Sequence, residues 1–116
     1  MGRKKTTKAE FRRFKETAED LIQRMGFHDY HVTILHEDLG DDRGGEIRFN
    51  TSGRWAGIYL NTQRPSENFT PEGTARHEVA HLLTAHLFDL AKSRYLNEEE
   101  IDMEQEIIAR RLEKVL

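Results

Sequence analysis

The sequence predicts an α+β domain: an N-terminal helix, a three-stranded antiparallel sheet, a motif-bearing helix and a C-terminal helix. Two changes of hydrophobic period predict it. Apolar residues recur at spacings of three and four from Phe11 to Met25, alternate with polar ones in three runs between His31 and Leu60, and return to helical spacing after Thr70-Pro71.

The first helix begins at Thr7, with Glu10 three residues on where a capping box needs it. Phe11, Phe14, Ala18, Leu21, Ile22 and Met25 form its apolar stripe, and Gly26 ends it. Three strands follow. Val32 and Ile34 alternate with His31 and Thr33, Ile47 and Phe49 with Glu46 and Arg48, and Ile58 and Leu60 with Tyr59. Turn chemistry at Leu39–Gly45 and Asn50–Gly53 separates them, so the expectation is an antiparallel meander. Asn61 to Phe69 reads as a polar loop. Thr70 at the cap and Pro71 at the first helical position start a helix expected to reach about Arg94. A break near Tyr95-Leu96-Asn97 leads to a last helix capped by Asn97 and Glu100.

The 116 residues suit one domain, residues 7–116, preceded by a flexible basic arm over residues 1–6. Charged residues make up 34%, above the roughly 25% of ordinary soluble domains, so the core is expected to be small. The absence of Cys excludes a disulfide scaffold, an iron–sulfur cluster, a Cys-based zinc finger and a thiol nucleophile. Any metal must sit on His and carboxylate. With no apolar leader and no long apolar run, the expectation is a soluble, cytoplasmic protein that does not enter membranes. Gly2 and Thr6 match the loose myristoylation pattern, which accident explains well.

The chemistry lies in His77-Glu78-Val79-Ala80-His81. On a helix the two imidazoles stand about 40° apart and about 6 Å along the axis, within reach of one ion, with Glu78 beside them. Val79, Leu82, Leu83, Leu87 and Leu90 form the opposite, core-facing stripe, while Ala80, Ala85, Phe88 and Ala91 make the histidine side apolar too. Something should cover that side, and the last helix is available. Ile101, Ile108, Leu112 and Val115 set its core stripe, and Glu104 falls within it. A buried carboxylate is costly unless paired or metal-bound, so Glu104 is the expected third ligand. Glu98 and Glu100 remain alternatives, although acids in a first helical turn have the macrodipole as an explanation. His86 lies on the leucine side and reads as a packed or rim histidine. His28, His31 and His36 read as surface or rim, and Trp55 as packing at the sheet margin.

Two His and one Glu leave a tetrahedral position for water, the pattern of a catalytic zinc site. Zn2+ would lower the pKa of that water to near 7, and Glu78 would take its proton during attack on a carbonyl and return it to the leaving amine. The expected reaction is metal-assisted hydrolysis of an amide.

The motif with a downstream glutamate helix resembles the zincin metallopeptidases, specifically minimal gluzincin-like forms and short phage-type metallopeptidases. The resemblance covers roughly Tyr30 to the C-terminus. It implies His77, His81 and Glu104 as ligands, Glu78 as base, and an edge strand, here Ala56 to Asn61, that pairs with a peptide or protein substrate in extended form. Glu98 with Asp102 could imitate the third-ligand motif of larger thermolysin-like members. The metzincin pattern is absent after His81. Larger members steady the oxyanion with a Tyr or His from a further subdomain, for which Tyr95 or Tyr59 would substitute.

Two rival functions stand beside the peptidase. One is a non-catalytic, zinc-stabilised protein-interaction module using the same ligands. The other is a nucleic-acid-associated protein, suggested by eight Lys or Arg against four Asp or Glu in residues 1–24; a solvated helix face explains that excess adequately.

Overall fold

The computed structural model describes residues 4–66, 68–92 and 97–115. Helix α1 (Lys8–Arg24) starts as the sequence predicts: the Glu10 amide donates to Thr7 Oγ1 at 3.1 Å, and the Thr7 amide donates to the Glu10 carboxylate at 3.0 Å. Met25 caps its end, and Gly26 follows at φ +78°, a backbone region that favours glycine. Strands β1 (His31–Glu37), β2 (Gly45–Asn50) and β3 (Trp55–Asn61) come next, then α2 (Pro71–Leu83), α3 (Ala85–Ala91) and α4 (Glu98–Glu113). No helix among the described residues is long and apolar enough to cross a membrane.

The strands do not form a meander. Their order is β1-β3-β2, with β1 parallel and β2 antiparallel to β3, so the sheet is mixed. A period of two dictates which side chains share a face but not which strands are neighbours. Val32, Ile34 and His36 align with Ala56, Ile58 and Leu60, and Ile47 and Phe49 with Ile58 and Ala56, on one face. That face meets α1 and α2 around Phe14, Ala18, Ala75, Val79 and Leu82. The other face, with Thr33, Tyr59 and Arg48, is open to solvent, giving a two-layer α/β arrangement. Trp55 stands at the sheet margin, 45% exposed.

The mixed order obliges the segment between β1 and β2 to cross the C-terminal end of β3. Asn61, fully buried at that end, holds it. Its Oδ1 accepts from the amides of Leu39 and Gln63, each at 3.1 Å, and its Nδ2 donates to the carbonyls of Asp41 at 2.9 Å and Arg43 at 2.7 Å. The Asn61 amide also donates to the Gly44 carbonyl at 3.0 Å. One side chain thus pairs four backbone groups and pins the path of the crossing against the end of β3.

The helix expected to run unbroken from Thr70 divides at Thr84, where φ −100° and ψ 5° leave the helical region. Its hydroxyl donates to the His81 carbonyl at 3.3 Å, a local bond that competes with the helical ladder. Arg94, Tyr95 and Leu96 lie outside the described residues. Thr70 and Asn97 cap α2 and α4 as the sequence predicts, through the amides of Gly73 and Glu100.

Lys4, Lys5 and Thr6, read from sequence as part of a free arm, are paired along residues 62–64. Thr6 is buried, its hydroxyl 2.7 Å from both the Asn61 carbonyl and His36 Nε2. His36, read as a rim residue, stacks flat on Phe11 with ring centres 5.0 Å apart. Burial holds its pKa below the ordinary imidazole value, only partly opposed by the nearby Glu10 carboxylate. Burial also pushes Glu10 up, but the Thr7 amide and the Arg64 guanidinium outweigh it and leave that carboxyl below its ordinary value.

Two outcomes are expected. Asn61→Leu should lower unfolding free energy by about 3 kcal/mol in urea titration, because four partly buried backbone groups lose their shared partner together. The imidazole of His36 binds protons less readily folded than unfolded, so its contribution to stability is lost as pH falls below 6.5. Melting curves should show that slope in the native chain and a shallower one in His36→Phe.

Candidate active site

Helix α2 presents the motif because its apolar residues leave no other orientation. Ala75, Val79, Leu82 and Leu83 are buried in the core, which turns His77 and His81 outward, both exposed. Their rings meet edge to face, with centres 4.9 Å apart and Nε2 atoms 3.3 Å apart. For an imidazole–imidazole hydrogen bond that separation is long. Two nitrogens each about 2.05 Å from a tetrahedral zinc ion stand about 3.3 Å apart, so the pair matches one edge of such a coordination shell.

Glu78 follows His77 on the same helix yet is buried, 7% exposed, beneath the start of β2. Burial raises its pKa; the neighbouring imidazoles work against that rise, Glu46 adds to it and Arg43 opposes it. The approach of β2 to α2 is close here. A Cβ on Gly45 would lie 2.7 Å from the Tyr59 carbonyl oxygen and 2.8 Å from Thr74 Cγ2, with Glu78 Cγ at 3.4 Å. Only a residue without a side chain lets the strand pass so near the helix.

Two cavities open on either side of this contact. One, of about 470 Å³, is lined by Ile47, Phe49, His81, Thr84 and Phe88; the other, of about 400 Å³, by Gly44, Phe69, Thr70 and Thr74. Arg43, Gly45, His77 and Glu78 line both, so the motif sits where the two meet. The Arg43 guanidinium is held by the Asp41 carboxylate at 2.6 Å and by Glu46 at 3.1 Å.

Glu104 is buried, as its helical position predicts, but the structure does not bring it to His77 and His81. It faces His86, its Oε1 3.6 Å from Nδ1, while His86 Nε2 is 3.1 Å from the Tyr30 hydroxyl. Phe27, Leu82, Leu83 and Arg111 complete a small enclosure around them. Arg111 stacks over Phe27 at 4.0 Å and donates to the Met25 carbonyl at 3.4 Å. Helix α4 packs against α3, its Glu104 and Arg111 share the enclosure with Leu82 and Leu83 away from the motif histidines, and His86 stands opposite the buried acid where the sequence placed a metal.

The other acidic candidates are no nearer to forming a cluster. Glu98, Glu100 and Asp102 are exposed, and Glu100 accepts from the Asn97 side chain at 3.1 Å. Among the described residues no three His, Asp or Glu side chains are placed to share one ion. Tyr59 lies on the solvent face of the sheet beneath Arg48, away from the motif, and Tyr95 is outside the described residues. The strand beside the motif is β2, an edge strand; Ala56 to Asn61 belong to the central one. In the sequence Arg43-Gly44-Gly45 reads as part of a turn. An arginine followed by two glycines, just before an alternating run, was the signal for a strand entering at close quarters.

Removing the acid of the enclosure should loosen α4. Glu104→Ala is expected to cost about 1–3 kcal/mol by denaturant titration, because the half-buried His86 ring loses its carboxyl partner.

Comparison of the chain with family models, with curated proteins and with solved structures gives no match.

Proposed function

We propose that the protein is a metal-dependent peptidase that hydrolyses peptide bonds in extended substrates. The observation that carries the reading is the 3.3 Å separation of two exposed imidazole nitrogens beside the buried Glu78, at the junction of two cavities. His77 and His81 would hold a zinc ion. Such an ion, when bound, polarises a carbonyl and makes water acidic enough to act as a nucleophile near neutral pH.

The chain's own residues account for the remaining steps. Glu78 is fixed by burial beside the imidazoles, with its carboxylate confined to the floor of the cleft. It accepts the proton of the attacking water and delivers it to the amine nitrogen as the C–N bond breaks. The free edge of β2 would align a substrate strand by backbone hydrogen bonds. Cavities on both sides of Glu78 leave room for residues on both sides of the bond being cut. Ile47, Phe49 and Phe88 offer apolar surface on one side, and Gly44, Thr70 and Thr74 offer a smaller, more polar surface on the other.

Calorimetric titration with zinc should give one site per chain that is lost in His77→Ala and His81→Ala and kept in Glu104→Ala. With a fluorogenic peptide library, Glu78→Gln should retain zinc while its hydrolysis rate falls by about 10²–10⁴. Hydrolysis that is unchanged in Glu78→Gln, or a native chain that takes up no zinc, would overturn the reading.

A further inference from the structure

The two outer strands of the sheet have different surroundings. The edge of β2 borders the cleft, whereas β1 has an outer edge remote from the motif. The His31 amide donates to the Arg54 carbonyl, and the Glu37 carbonyl accepts from the Thr62 amide; both bonds run toward the β3 side. Because N–H and C=O of one strand residue point the same way and alternate along the chain, His31, Thr33, Leu35 and Glu37 spend theirs on β3. Val32, Ile34 and His36 therefore direct theirs outward.

Exposed edges are ordinarily blunted by lysine, proline or a bulge. The β1 sequence His-Val-Thr-Ile-Leu-His-Glu contains no lysine or proline, and its register against β3 runs without interruption through all seven residues. Beside it the helix layer leaves a groove of about 590 Å³ in which Ile22, Tyr30, Val32 and Ile34, only partly covered, lie among the polar side chains of Lys15, Glu19 and Gln23.

The order of residues on β1 selects an occupant. Ile34 is the midpoint of the strand. An antiparallel pairing centred there sets the outward N–H and C=O of Ile34 against those of Ile34 in a second copy, and those of Val32 against His36. His31 then faces Glu37 of the second copy, at both ends by symmetry. These are non-hydrogen-bonded positions, where cross-strand side chains come closest. Both lie on the solvent face of the sheet and are exposed. We infer that β1 is a self-association edge: two copies of this chain pair antiparallel about Ile34, with His31 opposite Glu37, and extend the sheet across a two-fold axis. Such a contact is isologous and closes at the dimer, so it removes the open edge without propagating.

Sedimentation velocity over a range from micromolar to high-micromolar chain should show a monomer–dimer equilibrium. His31→Glu and Glu37→Lys should each weaken it about tenfold, and the double variant, which sets opposite charges across the contact, should recover it. Circular dichroism of each variant checks that the fold is retained. Since the chain has no cysteine, a single introduced thiol reports directly on register. Ile34→Cys should form a disulfide dimer under mild oxidation, whereas the more exposed Glu37→Cys should not. A chain that stays monomeric throughout would overturn the inference. So would a dimer that is indifferent to both charge changes, or one that cross-links through position 37 in preference to 34; either would assign the contact to another surface. Capture of a foreign peptide by β1 in place of a second copy would appear as an edge that is monomeric yet protected by that peptide, and would equally overturn it.

Discussion

The fold depends on one buried side chain at the end of the central strand. With the order β1-β3-β2, the connection from β1 must pass over the end of β3, and its backbone needs partners there to hold one path. Asn61 supplies donor and acceptor together at that point and is fully buried there. Aspartate would lack the donors for the Asp41 and Arg43 carbonyls, and leucine would satisfy none of the groups. Because the same connection ends at Gly44-Gly45, the crossing also determines where β2 enters and how closely it approaches Glu78. A residue remote from His77 and His81 thereby helps to position the strand that borders them.

The parts of the fold that were legible in the sequence are those decided within a few residues. Thr7 with Glu10, Thr70 with Pro71 and Asn97 with Glu100 are local bargains between side chain and backbone, and all three caps stand where the spacing puts them. Strand neighbours are decided at long range. Val32 and Ile34 would face the helices in either topology, so alternation carries no information on whether β2 or β3 lies beside β1. Asn61 read as the first residue of a polar loop because a buried asparagine and an exposed one look alike in a sequence. The break at Thr84 is subtler, since threonine is tolerated within helices and only its bond to the His81 carbonyl marks the division.

The candidate site divides in the same way. His77, Glu78 and His81 lie within one helical turn, and their relative placement follows from the helix alone. The third acid had to come from another element. The premise that a carboxylate on the buried face of α4 needs a partner agrees with the structure: Glu104 is buried and has one. Helical phase identifies that a residue is buried but not what lies opposite. The division at Thr84 begins α3 with Ala85-His86, and His86 stands between Tyr30 and Glu104. An imidazole thus faces the acid, and Arg111 lines the same enclosure.

The mixed topology also decides what each sheet edge can do. In a β1-β2-β3 meander, β2 would be central, its peptide groups committed on both sides, and β3 would be left at the margin. Placing β3 in the middle frees the outer side of β2 beside Glu78 and leaves β1 at the opposite margin, out of reach of the motif. The central strand accordingly carries the burial, with Ile58, Leu60 and Asn61 each fully inaccessible. The outer strands direct hydrogen-bonding groups outward in two different settings, one against a cleft with a buried carboxylate and one along an uninterrupted strand with a histidine at one end and a glutamate at the other. A single crossing, secured by one amide side chain, separates those two edges and gives them different surroundings.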